Sequence, residues 1–169
     1  MNSPAVQSNK PTSTMKLWNK LSAKPLGTRL FSLGVSLKAP YFGTVLPHVV
    51  EMRPGKAVVK APKWWGIQNH IGTFHAIAAC NLAEMAMGMV AEATVPSTHR
   101  WLPKGMTTEY LKITSGGLTA TAELDEIPDF SAITSGVEVP VPVTFSDGEG
   151  KESVRATITP SSTPSSRKA

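Results

Sequence analysis

The chain has 169 residues, of which 41% are hydrophobic and 17% charged, enough apolar material for one domain with its own core. Its one cysteine, Cys80, excludes an internal disulfide and a thiolate metal cluster. The net charge of +5 points to nucleic acid only until it is located: residues 1–29 carry Lys10, Lys16, Lys20, Lys24 and Arg29 with no acid, whereas residues 30–166 hold slightly more acids than bases. A nucleic-acid footprint needs a basic face on the folded domain, so this distribution argues against that partner.

Residues 1–14 are polar, without apolar period, and read as a disordered lead. They lack the apolar core of a secretory signal, and the expected location is the cytoplasm; the basic, acid-free start also fits a mitochondrial presequence, though with few arginines. Met15 to Ala23 reads as a short helix whose stripe of Leu17, Trp18 and Leu21 either packs on the domain or lies on a membrane surface. Pro25 and Gly27 end it, and Leu30 to Leu37 suggests a second short helix before Pro40 and Gly43. Thr44 to Met52 and Lys56 to Ala61 read as two strands joined by Arg53-Pro54-Gly55-Lys56, with Pro and Gly placed as a type II turn prefers.

The stretch from Gln68 to Val95 organises the rest. Between Ala76 and Ala91 the only charged residue is Glu84. Ala, Leu and Met favour helix, and a helix apolar almost all round is expected to be enclosed by other structure. It reads as too short and too often polar for a membrane span. Four strand-like runs follow: Met106 to Thr114, the cleanly alternating Leu118 to Leu124, Val137 to Phe145, and Val154 to Ile158. Pro140 and Pro142 mark the third run as an edge or irregular strand. Residues 160–169 read as a disordered tail, leaving a single domain at 15–159. The order implies an α+β fold, one curved antiparallel sheet wrapped round one long helix, since each must bury apolar surface on the other.

Chemistry is expected where the loop Asn69 to Ala76 enters the helix. The first N–H groups of a helix lack internal partners and, with the dipole, favour an oxygen that becomes negative during attack. Alternatively, Asn69, Thr73 and His75 only cap the helix. Glu84 stands nine residues beyond His75, ~13 Å along the axis, so two copies packed helix to helix would share a site more readily than one chain would hold it. The plainer reading has Glu84 bonded to buried backbone or facing solvent. His70 and His75 have no further ligand at metal spacing, Cys80 has no basic neighbour to activate it, and neither a Gly-x-Ser-x-Gly turn nor a Gly-rich phosphate loop occurs. Met85, Met87 and Met89 suit core packing or an adaptable acyl pocket.

The residues Asn69-His70-Ile71-Gly72-Thr73-Phe74-His75-Ala76 and Asn81-Leu82-Ala83-Glu84 resemble the hotdog-fold thioesterase superfamily, in particular its PaaI-like branch. Pro40-Tyr41-Phe42-Gly43 and Trp101-Leu102-Pro103-Lys104-Gly105-Met106 are similar to that group as well, and the likeness spans roughly residues 15–158. The resemblance implies a hotdog fold, edge-to-edge homodimers that often pair into tetramers, and sites between subunits. It implies an acyl-CoA thioesterase needing no cofactor or metal, with Glu84 as base or nucleophile, the Ala76 N–H as oxyanion donor, and His75 and Asn69 shaping the loop. Trp65, Gly72 and Thr73 would lie along the substrate, and Arg100 and Lys104 would meet the CoA phosphates. The usual His-Gly-Gly is here His75-Ala76-Ile77, which keeps the N–H but narrows the approach. The alternative is therefore a non-catalytic acyl-binding protein on the same fold.

Overall fold

In the computed structural model, which describes residues 11–165, the apolar run after His75 forms one helix, α4 (Ala76–Thr94). Short helices α1 (Ser13–Leu21), α2 (Gly27–Lys38) and α3 (Pro40–Gly43) precede the sheet. The strands are β1 (His48–Arg53), β2 (Lys56–Ala61), β3 (His99–Tyr110), β4 (Leu118–Glu123), β5 (Val137–Glu138), β6 (Val141–Ser146) and β7 (Glu152–Pro164). They form one antiparallel sheet in the order β1-β2-β4-β6-β7-β3, with β5 also on β7. This is the hotdog architecture, the sheet curving round α4.

Strand alternation puts one set of side chains on the inner face. Val49, Ala57, Val59, Ala120, Ala122, Val143, Phe145, Ala156 and Ile158 are all buried there, against Leu82, Met85, Met87, Met89 and Val90 of α4. The alanines leave room for the helix to settle onto the middle strands, and the methionines fill what remains, packing expected of flexible side chains. On another side Gly88 faces the Trp101 ring, which a methyl there would meet at 3.4 Å, an ordinary contact. By length and composition α4 passes for a membrane-spanning helix, contrary to the sequence reading, but most of it is buried inside the fold.

Several expectations change. Residues 1–10 of the proposed lead lie outside the described residues, but Thr12 caps α1 and its Oγ1 donates to Glu92 O at 2.8 Å, so the domain begins before Met15. The stripe on α1 points inward through Trp18, which stacks edge-on against Phe31 of α2 at 5.1 Å between centroids. The third strand run is broken at Val139-Pro140 into β5 and β6, yet β6 is central: its ladder to β4 stops at Val143, one residue short of Pro142. β3 begins at His99 rather than Met106, and β7 runs on through Pro160 to Pro164 where a tail was expected. Each segment alone reads as loop because of its prolines. Paired, with a register shift between Pro103 and Gly105 absorbing the misfit, they complete each other's ladder and bury Ser162.

Helix α4 is not enclosed on every side. Of its 19 residues 11 are buried; Ile77 and Glu84 are exposed and Cys80 half-exposed. These three share one face by helical spacing, and on it Cys80 meets Thr108 and Tyr110 of β3, the strand whose outer edge pairs with no described strand.

Candidate active site at the start of the central helix

The loop before α4 is set by Asn69. Its Oδ1 accepts from Thr73 N at 2.9 Å and Ile71 N at 3.2 Å, while its Nδ2 donates to Thr73 Oγ1 at 2.7 Å. Gly72 closes the turn with a φ of +74°, a conformation costly for residues carrying a Cβ. His75 then caps the helix, its Nδ1 accepting from Ile77 N at 3.0 Å, and its own N–H donating to Ile67 O. The Ala76 N–H, first of the helix, receives no partner from the described chain.

Beside that N–H is a cavity of about 280 Å³ lined by Asn69, Thr73, Ala76, Tyr110, Lys112 and Thr114, with Phe74, Ala79, Leu118 and Val154 supplying apolar wall. Tyr110 OH donates to Ala76 O at 3.3 Å, and Cys80 Sγ lies 3.3 Å from the same hydroxyl and 3.6 Å from Thr108 Oγ1. Burial and the Cys80 contact push the Tyr110 phenol up to about 12, so it stays a neutral donor at physiological pH. Lys112 closes the rim in an ion pair with Asp147, whose carboxyl is held down to about 2, first by that lysine and then by backbone N–H donors.

The structure brings together Asn69, Thr73 and Ala76 at this cavity, with His75 behind them as cap and Gly72 as turn. It does not bring Glu84 there. Glu84 is exposed, has no ion pair among the described residues, and lies eight residues along α4 from Ala76, ~12 Å of helical rise. Of the two plainer settings open to Glu84, buried backbone or solvent, the structure gives the second, and the carboxylate thereby escapes the cost of desolvation. Trp65 is 85% exposed in a 3-10 turn and does not line the cavity. Arg100 bonds Thr163 Oγ1 and Lys104 pairs with Glu138, six or more residues along β3 from Tyr110, ~20 Å or more from the start of α4 within one chain. Sequence reading did not single out Tyr110, Lys112 or Thr114; they stand at the far end of β3 and the segment after it, and only pairing with β7 carries them to the helix start. No cluster of His, Cys, Asp or Glu among the described residues is placed to hold a metal.

The fold and the helix-start loop define this as a hotdog-fold protein of the kind found in thioesterases. The chain belongs to the family described as Domain of unknown function (DUF4442), which matches residues 27–161. It is similar over 90% of its length to the structural-genomics protein APC5556, at 38% identity, covering 98% of that chain with a TM-score of 0.76. Its fold is also that of PA5026 of Pseudomonas aeruginosa, called a probable thioesterase (21% identity, 83% and 98% covered, TM-score 0.74). A thioesterase of Staphylococcus aureus, SAV0944, shares it at 16% identity, with 74% and 99% covered and a TM-score of 0.64. That protein has been crystallised with a glutamine replaced by alanine and with a glutamate, fifteen positions further on, replaced by alanine. Among curated protein sequences no relative matches the chain.

Proposed function

We propose that this protein hydrolyses an acyl-CoA thioester to free acid and CoA, at a site shared by two copies of the chain. The observation that carries this is the Ala76 N–H, open beside a cavity at the positive end of α4, with Glu84 exposed on the same helix and the outer edge of β3 paired with no described strand. A second copy joined at the outer edge of β3, a ready template for strand pairing, would bring its Glu84 toward this chain's helix start. The spacing of Asn69 and Glu84 equals that of the two positions replaced in the S. aureus thioesterase, which supports the choice of residues.

In the reaction, Glu84 takes a proton from water as the water oxygen bonds the thioester carbon. The carbonyl oxygen becomes negative and is met by the Ala76 N–H. The C–S bond breaks, and the thiolate leaves with the proton that Glu84 accepted. Ile77, 56% exposed where the usual motif has glycine, favours a second reading in which the pocket binds acyl groups without turnover.

A panel of acyl-CoAs with thiol detection separates the two. Ala76→Pro removes the N–H alone: proline suits the first helical position, and His75 already has the extended backbone that precedes proline. We expect kcat to fall ~10²-fold or more for Ala76→Pro and similarly for Glu84→Gln. Mixing the two inactive variants should restore part of the rate, because a mixed dimer holds one intact site. Saturable binding without turnover in the wild-type protein on every chain length would favour the second reading.

A further inference from the structure

A second concavity, about 570 Å³, adjoins the first and shares Leu118 with it. Its wall carries Arg29 of α2, His48 of β1 and Lys60 of β2. The register explains the convergence: His48 and Lys60 are direct cross-strand partners, so their side chains stand on the same face. Thr28 Oγ1, one residue before Arg29, lies 2.9 Å from His48 Nε2 and ties α2 to that ring. The cations Arg53, Lys104, Lys112 and Arg155 each have a carboxylate within reach. Arg29 and Lys60 have none among the described residues. The one carboxylate on this wall, Asp147, is already engaged by Lys112 and by backbone N–H groups. After burial, the fields of Arg29 and Lys60 also hold His48 below its ordinary range, so both cations act at the same spot. Unneutralised cations gathered in one concavity focus a field that attracts a multiply charged anion.

We propose that the Arg29–His48–Lys60 basin binds the phosphates of the CoA carrier while the thioester lies at the start of α4. This rests on the acyl-CoA reading above. The Lys112–Asp147 pair spans the ground between the two cavities, Lys112 on the rim of the first and Asp147 on the wall of the second. A substrate with its thioester at Ala76 and its nucleotide in the basin crosses that bridge. The role expected for Arg100 and Lys104 passes to Arg29 and Lys60, which line the concavity adjoining the helix-start cavity of their own chain.

The probe is adenosine 3′,5′-bisphosphate, titrated calorimetrically into the full-length protein at low salt. Wild type should bind it, more weakly as salt is raised. Arg29→Gln and Lys60→Gln should each weaken binding about fivefold, the double variant on the order of twentyfold, and Arg29→Lys should retain most of it. With acyl-CoA as substrate the double variant should raise KM by a similar factor at constant kcat, and that rise should be confined to the substrate bearing phosphates, against an S-acyl-N-acetylcysteamine control. If acyl-CoA is not hydrolysed but the bisphosphate binds and the double variant loses it, the basin stands and the hydrolase reading falls. If acyl-CoA is hydrolysed and the double variant leaves its KM unchanged, the hydrolase reading stands and the basin is overturned. Failure of the wild type to bind the bisphosphate at low salt also overturns it.

Discussion

The two edges of the sheet are finished in opposite ways. At β1 the chain covers its own edge: α2 lies alongside, Ser32 Oγ accepts from Val49 N at 2.8 Å, and Thr28 holds His48. At β3 no described strand pairs with the outer edge, and α4 meets this strand through Cys80, on the face that also carries the exposed Ile77 and Glu84. An edge strand left bare is a pairing site unless something blunts it. The difference teaches where the chain supplies its own partner and where it leaves room for another. The covered edge carries the cation basin, and the bare edge carries the acid.

The largest expected effect breaks the bare side. Glu84→Gln should lower kcat ~10²- to 10³-fold with little change in thermal stability, since an exposed unpaired acid contributes little to the fold. Light scattering on the same sample should give twice the chain mass, and a monomer that retains full activity would sink the shared site. Beneath both edges lies Leu82, fully buried against the middle strands. Leu82→Ala should cost about 2–5 kcal/mol in urea unfolding, through lost burial and the cavity left behind. On the covered side, Ser32→Ala should cost roughly 1–3 kcal/mol, because Val49 N loses its acceptor in a buried setting. Hydrogen exchange should quicken at Val49 first; unchanged exchange there would mean that α2 does not seal this edge.

The smallest effect is in pH. Tyr110 is raised from 10 to about 12, by burial first and then by Cys80. The folded state therefore prefers the neutral phenol, and its contribution is complete below pH 10 and is lost as pH rises from about 10 to about 12. Tyrosinate absorbance should show a component titrating near 12 that Tyr110→Phe removes. If that variant leaves the curve unaltered near 12, the Cys80–Tyr110–Ala76 contact is not as described.

Much of the fold was legible because its signals are local. Leu118 to Glu123 alternates and is a strand; Pro54-Gly55 is a turn, with Gly55 at a φ of +79°; Ala76–Thr94 is rich in helix formers and is a helix. The local bonding of the loop was legible too, since Asn69, Gly72, Thr73 and His75 act on neighbours within a few residues. What misled was the proline content of Trp101–Gly105 and Pro160–Pro164, two segments that are strands only in each other's company. The orientation of Glu84 was left open for a related reason: a helix apolar on most sides implies enclosure but does not say which side stays open.

The residues by themselves determined the central helix, the alternating strands and the capped loop that leaves the Ala76 N–H unclaimed, because period, turn chemistry and capping operate within one element. Tertiary structure alone decided that Glu84 faces outward, that Tyr110 and Lys112 reach the helix start, and that Arg29, His48 and Lys60 meet in one hollow. Those placements depend on how segments distant in the chain pack and pair; for the strand residues Tyr110, His48 and Lys60 a register shift of one residue would have sent the side chain to the opposite face.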